Sequence, residues 1–179
     1  MNTKRKVILY IACSLDGFIS GPGDDLSFLE LAEQEVEDYG YADFMKTIDT
    51  VVLGRRTYEW VMKHVPVFPH ADKQAFIITR TPRPSIGKTI FYSGDPESLI
   101  LQLKNDKGKN IFIDGGAEFV NSLLQKKLID EMILSVIPVL LGDGIRLFSN
   151  NRPEQSLKLI SAKTFKKGLV QLHYAAPID

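Results

Sequence analysis

Short apolar segments alternate with helix-like segments along most of the chain, and this order constrains the fold more than any other feature of the sequence. The first, Lys6 to Cys13, is rich in β-branched residues and predicts a buried strand. Further strand-like segments lie at 50–53, 75–79, 89–92, 111–113 and 131–137. Alternating strands and helices are typical of a largely parallel sheet with helices on both faces.

The end of the chain follows a different pattern. Residues 156–164 and 169–175 alternate in polarity around Lys166-Lys167-Gly168, which predicts an antiparallel hairpin. Placed after the six earlier strands, this hairpin gives the order β-α-β-α-β-β-α-β-α-β and then two more strands. The sequence therefore predicts an α/β fold whose mixed, mostly parallel sheet ends in an antiparallel edge.

Composition narrows the class of protein. A chain of 179 residues fits one domain spanning 1–179. The 22 Lys and Arg residues balance 22 Asp and Glu residues, so the basic excess of a duplex-binding protein is missing and no nucleic-acid partner is expected. A single cysteine, Cys13, excludes an internal disulfide and favours the cytoplasm. No apolar run approaches the ~18 residues of a membrane span, so no membrane partner is expected.

Two helix starts are indicated by capping patterns. Ser27 and Glu30 match the S-x-x-E capping box, which predicts a helix beginning near Ser27 that Gly40 would kink or split. Asp95, followed by Pro96, predicts the cap of a helix over 97–105.

Three predicted strands end in segments rich in glycine or arginine, namely LGRRT at 53–57, TRT at 79–81 and DGGAE at 114–118. Ligands of open α/β sheets bind outside the carboxyl ends of the strands. A helix that starts there offers free backbone N–H groups and a positive dipole end, glycine permits close approach, and arginine adds bidentate donors. The combination suits a ligand with several phosphates, such as a dinucleotide.

Each segment also has a simpler interpretation. Gly115-Gly116 can be only a tight strand-to-helix turn, and Arg55, Arg56 and Arg80 can be solvated surface side chains. Neither a G-x-G-x-x-G motif nor a P-loop lysine is present to decide the question.

Four ordered blocks, YIACSLDGFIS, VVLGRRTYEW, IFIDGGAEFVNSLL and LIDEMILSVIPVLLGDGIRLF, resemble the dihydrofolate reductase superfamily. They are most similar to the branch named after the C-terminal reductase domain of bifunctional riboflavin-biosynthesis proteins. The resemblance covers nearly the whole chain and implies an eight-stranded, mostly parallel sheet flanked by helices. It also implies NADPH as the cofactor and hydride transfer to a heterocycle or an open sugar derivative.

The resemblance assigns roles to particular positions. It places Ala12 and Cys13 near the nicotinamide and Gly17 in the loop that covers it, while residues 140–146 border the substrate pocket. It assigns the phosphates of NADPH to three groups: Gly54, Arg55, Arg56 and Thr57; Thr79, Arg80 and Thr81; and Gly115, Gly116 and Ala117.

The chain departs from the family pattern at two places. Riboflavin-pathway reductases carry a substrate-binding aspartate in a D-N-P-x-L-type segment, where this chain reads HVPVFPHADK at 64–73. They also often carry a glutamate before the paired glycines, where this chain has Asp114. Both differences count against a phosphoribosyl substrate. The deaminase motif H-x-E…P-C-x-x-C is also missing from this chain.

Three acids are catalytic candidates: Asp114, Asp16 and Asp38. Asp38 matches the helix acid that helps to protonate the pterin in dihydrofolate reductases, and that role requires an apolar pocket that raises its pKa. The alternative is that Glu33, Glu35, Glu37 and Asp38 form a solvated acidic face.

The sequence therefore predicts an NADPH-dependent reductase of the riboflavin-biosynthesis type that acts on a small molecule. The alternatives are a dihydrofolate reductase acting on a pterin and an NADPH-binding module without catalysis. No metal site is expected, because His64, His70 and His173 lack ligand spacing. A homodimer formed through the C-terminal strands is expected, since they leave a sheet edge exposed.

Overall fold

The computed structural model describes residues 4–32, 37–150 and 152–177. Its strands and α-helices, in chain order, are β1 (Val7–Ser14), β2 (Phe18–Ser20), α1 (Tyr41–Lys46), β3 (Ile48–Gly54), α2 (Arg55–His64), β4 (Gln74–Ile78), β5 (Thr89–Tyr92), α3 (Pro96–Asn105), β6 (Asn110–Ile113), α4 (Ala117–Gln125), β7 (Glu131–Ile137), β8 (Ile145–Arg146), β9 (Lys158–Thr164) and β10 (Val170–Ala175). None of the helices in these described ranges has the length and apolar character needed to cross a membrane.

Eight of the strands form one sheet in the order β5-β4-β3-β6-β1-β7-β10-β9. The first six are mutually parallel, whereas β10 runs antiparallel to β7 and to β9. The predicted mostly parallel sheet and its antiparallel C-terminal hairpin are therefore confirmed. The remaining pair, β2 and β8, forms a small antiparallel sheet that the sequence did not predict.

The alternation of side chains along β1 divides the core between the two faces of the sheet. Val7 and Leu9 face the apolar stripes of α3 and α4, and Ile8 packs with Phe44 of α1 and Tyr58 of α2. Both faces of the central strands are covered, which is why these strands are continuously apolar. The parallel arrangement brings the carboxyl ends of β1, β3, β4 and β6 to one edge, where the glycine- and arginine-rich segments begin.

The two predicted helix starts have different outcomes. Asp95 caps α3 by accepting a 2.8 Å hydrogen bond from the Ser98 amide, as expected. Ser27 instead begins a short 3-10 turn, Ser27–Leu31, and its amide and hydroxyl both donate to the carboxylate of Asp25. The prediction of a capping box was wrong because Asp25 binds both groups. Gly40, at φ 80°, directly precedes the separate helix α1.

Candidate functional site

The N-termini of α2 and α4 lie side by side at the carboxyl ends of β3 and β6. The Gly54 amide donates a 3.3 Å hydrogen bond to the Gly115 carbonyl. A Cβ atom on Gly116 would lie 3.2 Å from the Thr57 hydroxyl and 3.7 Å from the Gly54 Cα. The first-turn amides of a helix have no intrahelical acceptor and carry the positive end of its dipole, so two such ends converge here.

The glycines at this junction leave the helix amides accessible. Gly115 and Gly116 have φ angles of 107° and 81°, which side chains rarely adopt. Gly54 and Gly116 occupy the N-cap positions of α2 and α4, and neither supplies a side-chain cap. Ala117 is the first residue of α4. We call the junction formed by Gly54, Gly115, Gly116 and Ala117 the glycine cradle. A Cβ at Gly116 would fill this cradle, so the residues present fit a phosphate-bearing cofactor.

Ion pairs show where the predicted arginines lie. Arg55 and Arg83 both bind Glu59, each at 2.8 Å, and first Arg55 and then Arg83 hold the pKa of that carboxyl below its usual value. Arg80 reaches Glu118 in the first turn of α4 at 3.5 Å, with 97% of its side chain exposed. Arg80 therefore lies beside the glycine cradle and is free to reorient.

Arg56 has a different partner from Arg55 and Arg80. Its guanidinium pairs with Asp24 at 3.2 Å, in the turn that follows β2. Just after β4, the Thr79 hydroxyl accepts a 3.1 Å hydrogen bond from the Thr81 amide and fixes the turn that presents Arg80. Thr79 itself is buried.

Ala12 and Cys13, at the end of β1, face opposite sides of the sheet. Ala12 forms part of the wall of an apolar cavity, whereas Cys13 is buried in the core beneath α3 and α4. Burial raises the pKa of the Cys13 thiol. The Ile11 side chain lies 3.6 Å from the position of a Cβ on Gly115, so β1 adjoins the glycine cradle.

The apolar cavity has a volume of about 370 Å³ and lies on the α1 face of the sheet. Its wall is mostly aromatic and aliphatic, with Tyr10, Ala12, Leu29, Tyr39, Tyr41 and Ile137 among the lining residues. Because Ala12 and the cradle residue Gly115 are both at the carboxyl edge of adjacent strands, this cavity and the cradle are neighbours.

The residues that depart from the family pattern meet in space. His70, from the 64–73 segment, lies with Nε2 3.0 Å from an Asp114 carboxylate oxygen. The imidazole is buried and packs edge-on against Phe68 and Phe112, while 27% of the Asp114 side chain is exposed. Asp114 also acts on Tyr41, whose pKa is raised first by burial and then by this carboxylate. Sequence reasoning missed His70, although its place in a departing segment was a signal.

Asp16 anchors a loop. Its carboxylate accepts hydrogen bonds from the amides of Leu141 and Gly142 and from the Ser14 hydroxyl, which together with the Gly17 turn ties the end of β1 to residues 138–146. Chiefly through Ser14, the pKa of Asp16 is lowered to about 2. Asp16 is therefore ionised at neutral pH and its oxygens are already engaged.

Asp38 does not have the environment that proton donation requires. It is exposed at the rim of the apolar cavity and accepts hydrogen bonds from the amides of Gly40 and Ala42. These bonds, led by the one from Ala42, lower its pKa. The condition that this role sets, an apolar pocket that raises the pKa, is therefore not met. Of the proposed acidic face, Glu33 and Glu35 lie outside the described residues.

The loop predicted to border the substrate pocket, residues 140–146, contributes to an apolar cluster at one end and to a separate cavity at the other. Leu141 packs with the apolar cluster around Ala12 and Leu29. Gly144 and Arg146 instead line a more polar cavity of about 660 Å³ along α4.

The comparisons with known proteins agree with this fold. The model of the RibD C-terminal domain family matches residues 5–171, and the protein belongs to that family. The predicted branch of the dihydrofolate reductase superfamily is thereby confirmed.

Two Bacillus subtilis (strain 168) proteins are similar over nearly their full lengths. The uncharacterized protein YwjB is 44% identical over 172 residues, covering 96% of this chain and 98% of its own length. The uncharacterized protein YyaP is 30% identical over 182 residues, covering 96% and 95%.

Solved structures support the same fold. A crystal structure of a candidate riboflavin biosynthesis protein from Shewanella sp. PV-4 has a TM-score of 0.85 and 29% identity, covering 97% of this chain and 99% of that one. The Thermotoga maritima diaminohydroxyphosphoribosylaminopyrimidine deaminase/5-amino-6-(5-phosphoribosylamino)uracil reductase has a TM-score of 0.73 at 14% identity. That match covers 97% of this chain and 57% of the bifunctional one, and it shows the fold alone.

Proposed function

We propose that the protein is an NADPH-dependent oxidoreductase of the riboflavin-reductase type that reduces a C=N or C=O bond of a small molecule. Membership of the RibD C-terminal domain family supports a reductase. The observation that carries the cofactor assignment is the convergence of the α2 and α4 N-termini at Gly54 and Gly116. Two adjacent dipole ends without side-chain caps suit a pyrophosphate.

The chain would hold the cofactor by three groups of contacts. Amides around Gly54, Thr57 and Gly115 to Ala117 would bind the pyrophosphate, and Thr79 to Thr81 with Arg55 would bind the adenosine 2′-phosphate. When bound, the reduced nicotinamide supplies a hydride. Ala12 and the apolar cavity beside it would orient the acceptor and exclude water.

Reduction also consumes a proton, which we assign to the His70–Asp114 pair. Nε2 of His70 lies 3.0 Å from a carboxylate oxygen of Asp114, within hydrogen-bond distance. His70 holds Asp114 in place from the buried side, and the partly exposed carboxylate can exchange the proton with substrate or solvent. Asp16 and Asp38 serve this role less well because hydrogen bonds lower the pKa of each.

Thermal unfolding with added nucleotide tests the cofactor assignment. NADPH at ~100 times its Kd should stabilise the protein by about 2.7 kcal/mol, and NADH at the same concentration should stabilise it less. Arg80→Ala should reduce the difference between the two nucleotides because it removes a partner of the 2′-phosphate. Lys107→Ala is the matched control, since it removes an exposed cation at the opposite edge of the sheet. No shift with either nucleotide would contradict the proposal.

The two alternatives give different results in the same preparation. A dihydrofolate reductase would turn over dihydrofolate with NADPH, and the exposed, low-pKa Asp38 argues against this outcome. A binding module without catalysis would show the NADPH shift but reduce none of a panel of pterins, pyrimidines and quinones.

A further inference from the structure

The apolar cavity beside Ala12 restricts the substrate of the proposed reductase. Its lining residues include no Lys, Arg or His in the part of the chain that the structure describes. Residues 33–36, which follow the lining residue Ala32, carry no basic side chain in the sequence. The charged residue at its rim is Asp38, which is an acid. A phosphate in this cavity would therefore lose its hydration and gain no cationic partner.

Several polar groups at the wall bind one another. The Gln171 side-chain amide donates to the Tyr10 hydroxyl at 2.9 Å and to the Ser135 hydroxyl at 3.3 Å. The Tyr10 hydroxyl donates in turn to the Tyr39 carbonyl at 3.0 Å. With these partners engaged, the wall offers a ligand chiefly aromatic and aliphatic surface.

The wall also disfavours negative charge on its own side chains. Burial raises the pKa of Tyr10, and the nearby carboxylates Asp38 and Glu37 raise it further, against the hydrogen bond from Gln171. The same burial and the same carboxylates destabilise the charge of any anion placed beside that phenol.

We propose that this cavity binds a flat, uncharged ring compound without a phosphate group, and that such a compound is the substrate. The volume of about 370 Å³ lies within the range of small-ligand sites. Three tyrosine rings provide the surface against which a planar ligand packs. The assignment as substrate rests on the proposed function, whereas the preference for a neutral ring rests on the cavity itself.

A matched pair of probes, 2-naphthol and 2-naphthyl phosphate, tests the proposal because the two differ only by the phosphate. Binding is followed by NMR at the methyl groups of Leu29, Ile137 and Leu169, which line the cavity. The exposed Ile86 and Leu101 methyls serve as internal controls for nonspecific contact. We expect 2-naphthol to shift the cavity methyls selectively and to bind at least tenfold more tightly than the phosphate.

A charge variant separates electrostatics from shape. Asp38→Asn keeps an acceptor for one of the two backbone amides, those of Gly40 and Ala42, that the carboxylate binds, and it removes the negative charge at the rim. It should tighten binding of 2-naphthyl phosphate at least threefold and change the Kd of 2-naphthol less than twofold. Equal or tighter binding of the phosphate by the native protein, or no selective shift with 2-naphthol, would overturn the proposal.

The titrations are run with and without NADPH, and the NADPH shift is measured separately. Binding of 2-naphthol at the cavity without any NADPH shift would refute the reductase and support the neutral-ring preference. A shift of the unfolding temperature with NADPH, together with tight binding of 2-naphthyl phosphate, would support the reductase and refute the preference for a neutral ring.

Discussion

His70 is buried, and its partner Asp114 directly precedes Gly115 of the glycine cradle. His70→Ala should lower the free energy of unfolding by about 1–3 kcal/mol, because a half-buried carboxylate loses its donor. It should also reduce stabilisation by NADPH, because the segment leading into Gly115 loses an anchor. Urea denaturation with and without NADPH measures both effects.

His173 provides a control for that substitution. Its Nε2 lies 2.9 Å from a carboxylate oxygen of Glu131, so the pair resembles His70–Asp114 but lies at the amino end of β7, away from the cradle. His173→Ala should lower stability and leave the NADPH effect unchanged. Equal loss of the NADPH effect in both variants would contradict the special position of His70.

Asp16 contributes to the free energy of unfolding through the loop that it anchors, and this contribution depends on pH. Its pKa is lowered from 3.8 to about 2 in the folded protein. A lowered carboxyl pKa stabilises the fold above the unfolded value, and that stability is lost as pH falls from about 4 towards 2. Asp16→Asn should therefore be less stable than the native protein at pH 7, and the difference should narrow at pH 3. Guanidinium denaturation at both pH values checks this. A difference that is constant with pH would show that the charge of Asp16 is unimportant.

Residue roles were predicted less well than residue positions. The sequence identifies Gly54, Gly115 and Gly116 because they stand where a strand turns directly into a helix, and the local sequence alone shows this. The partner of His70 lies 44 residues away, and no local pattern pairs them. The sequence left Asp38 open between a proton donor and a solvated acid, because its pKa depends on amides in the turn that follows, which its sequence spacing does not reveal.

The contact between the N-termini of α2 and α4 makes Gly116 sensitive to any side chain. Gly116→Ala should cost more stability than the ~1–2 kcal/mol of a left-handed helical position, because its ψ of 105° lies outside that region. It should also weaken NADPH binding at least tenfold, because Cβ would lie 3.2 Å from the Thr57 hydroxyl. Gly87 also has a positive φ, 57°, but a Cβ added there would have no atom within 4 Å. Gly87→Ala should therefore also lose stability but keep the NADPH affinity. Calorimetric titration compares the two, and equal affinities would argue against the cradle.

Most elements were predictable because each has a local cause. α2 and β7 follow from continuous periodic or apolar segments, and α3 from the Asp95 cap. The small sheet of β2 and β8 was missed because strands of three and two residues have too short a pattern. They pair across more than a hundred residues, with Phe18 opposite Arg146.

The two edges of the large sheet differ in how well they are protected. β5 has four residues, two of them buried, whereas β9 has seven residues, of which none is buried. On β9, Leu159 and Ile160 are 51% and 48% exposed. A long edge strand with exposed apolar side chains is a site where another chain can add to a sheet.

We therefore expect a homodimer formed through β9. Ile160→Glu should yield a monomer at micromolar concentration, because it places a charge on the pairing surface. Leu101→Glu is the control, since Leu101 has a similar exposure, 45%, but lies on α3. Sedimentation velocity should give a dimer for the native protein and for Leu101→Glu. A native monomer would exclude pairing at this edge. A dimer that persists in Ile160→Glu would show that the interface lies elsewhere on the protein.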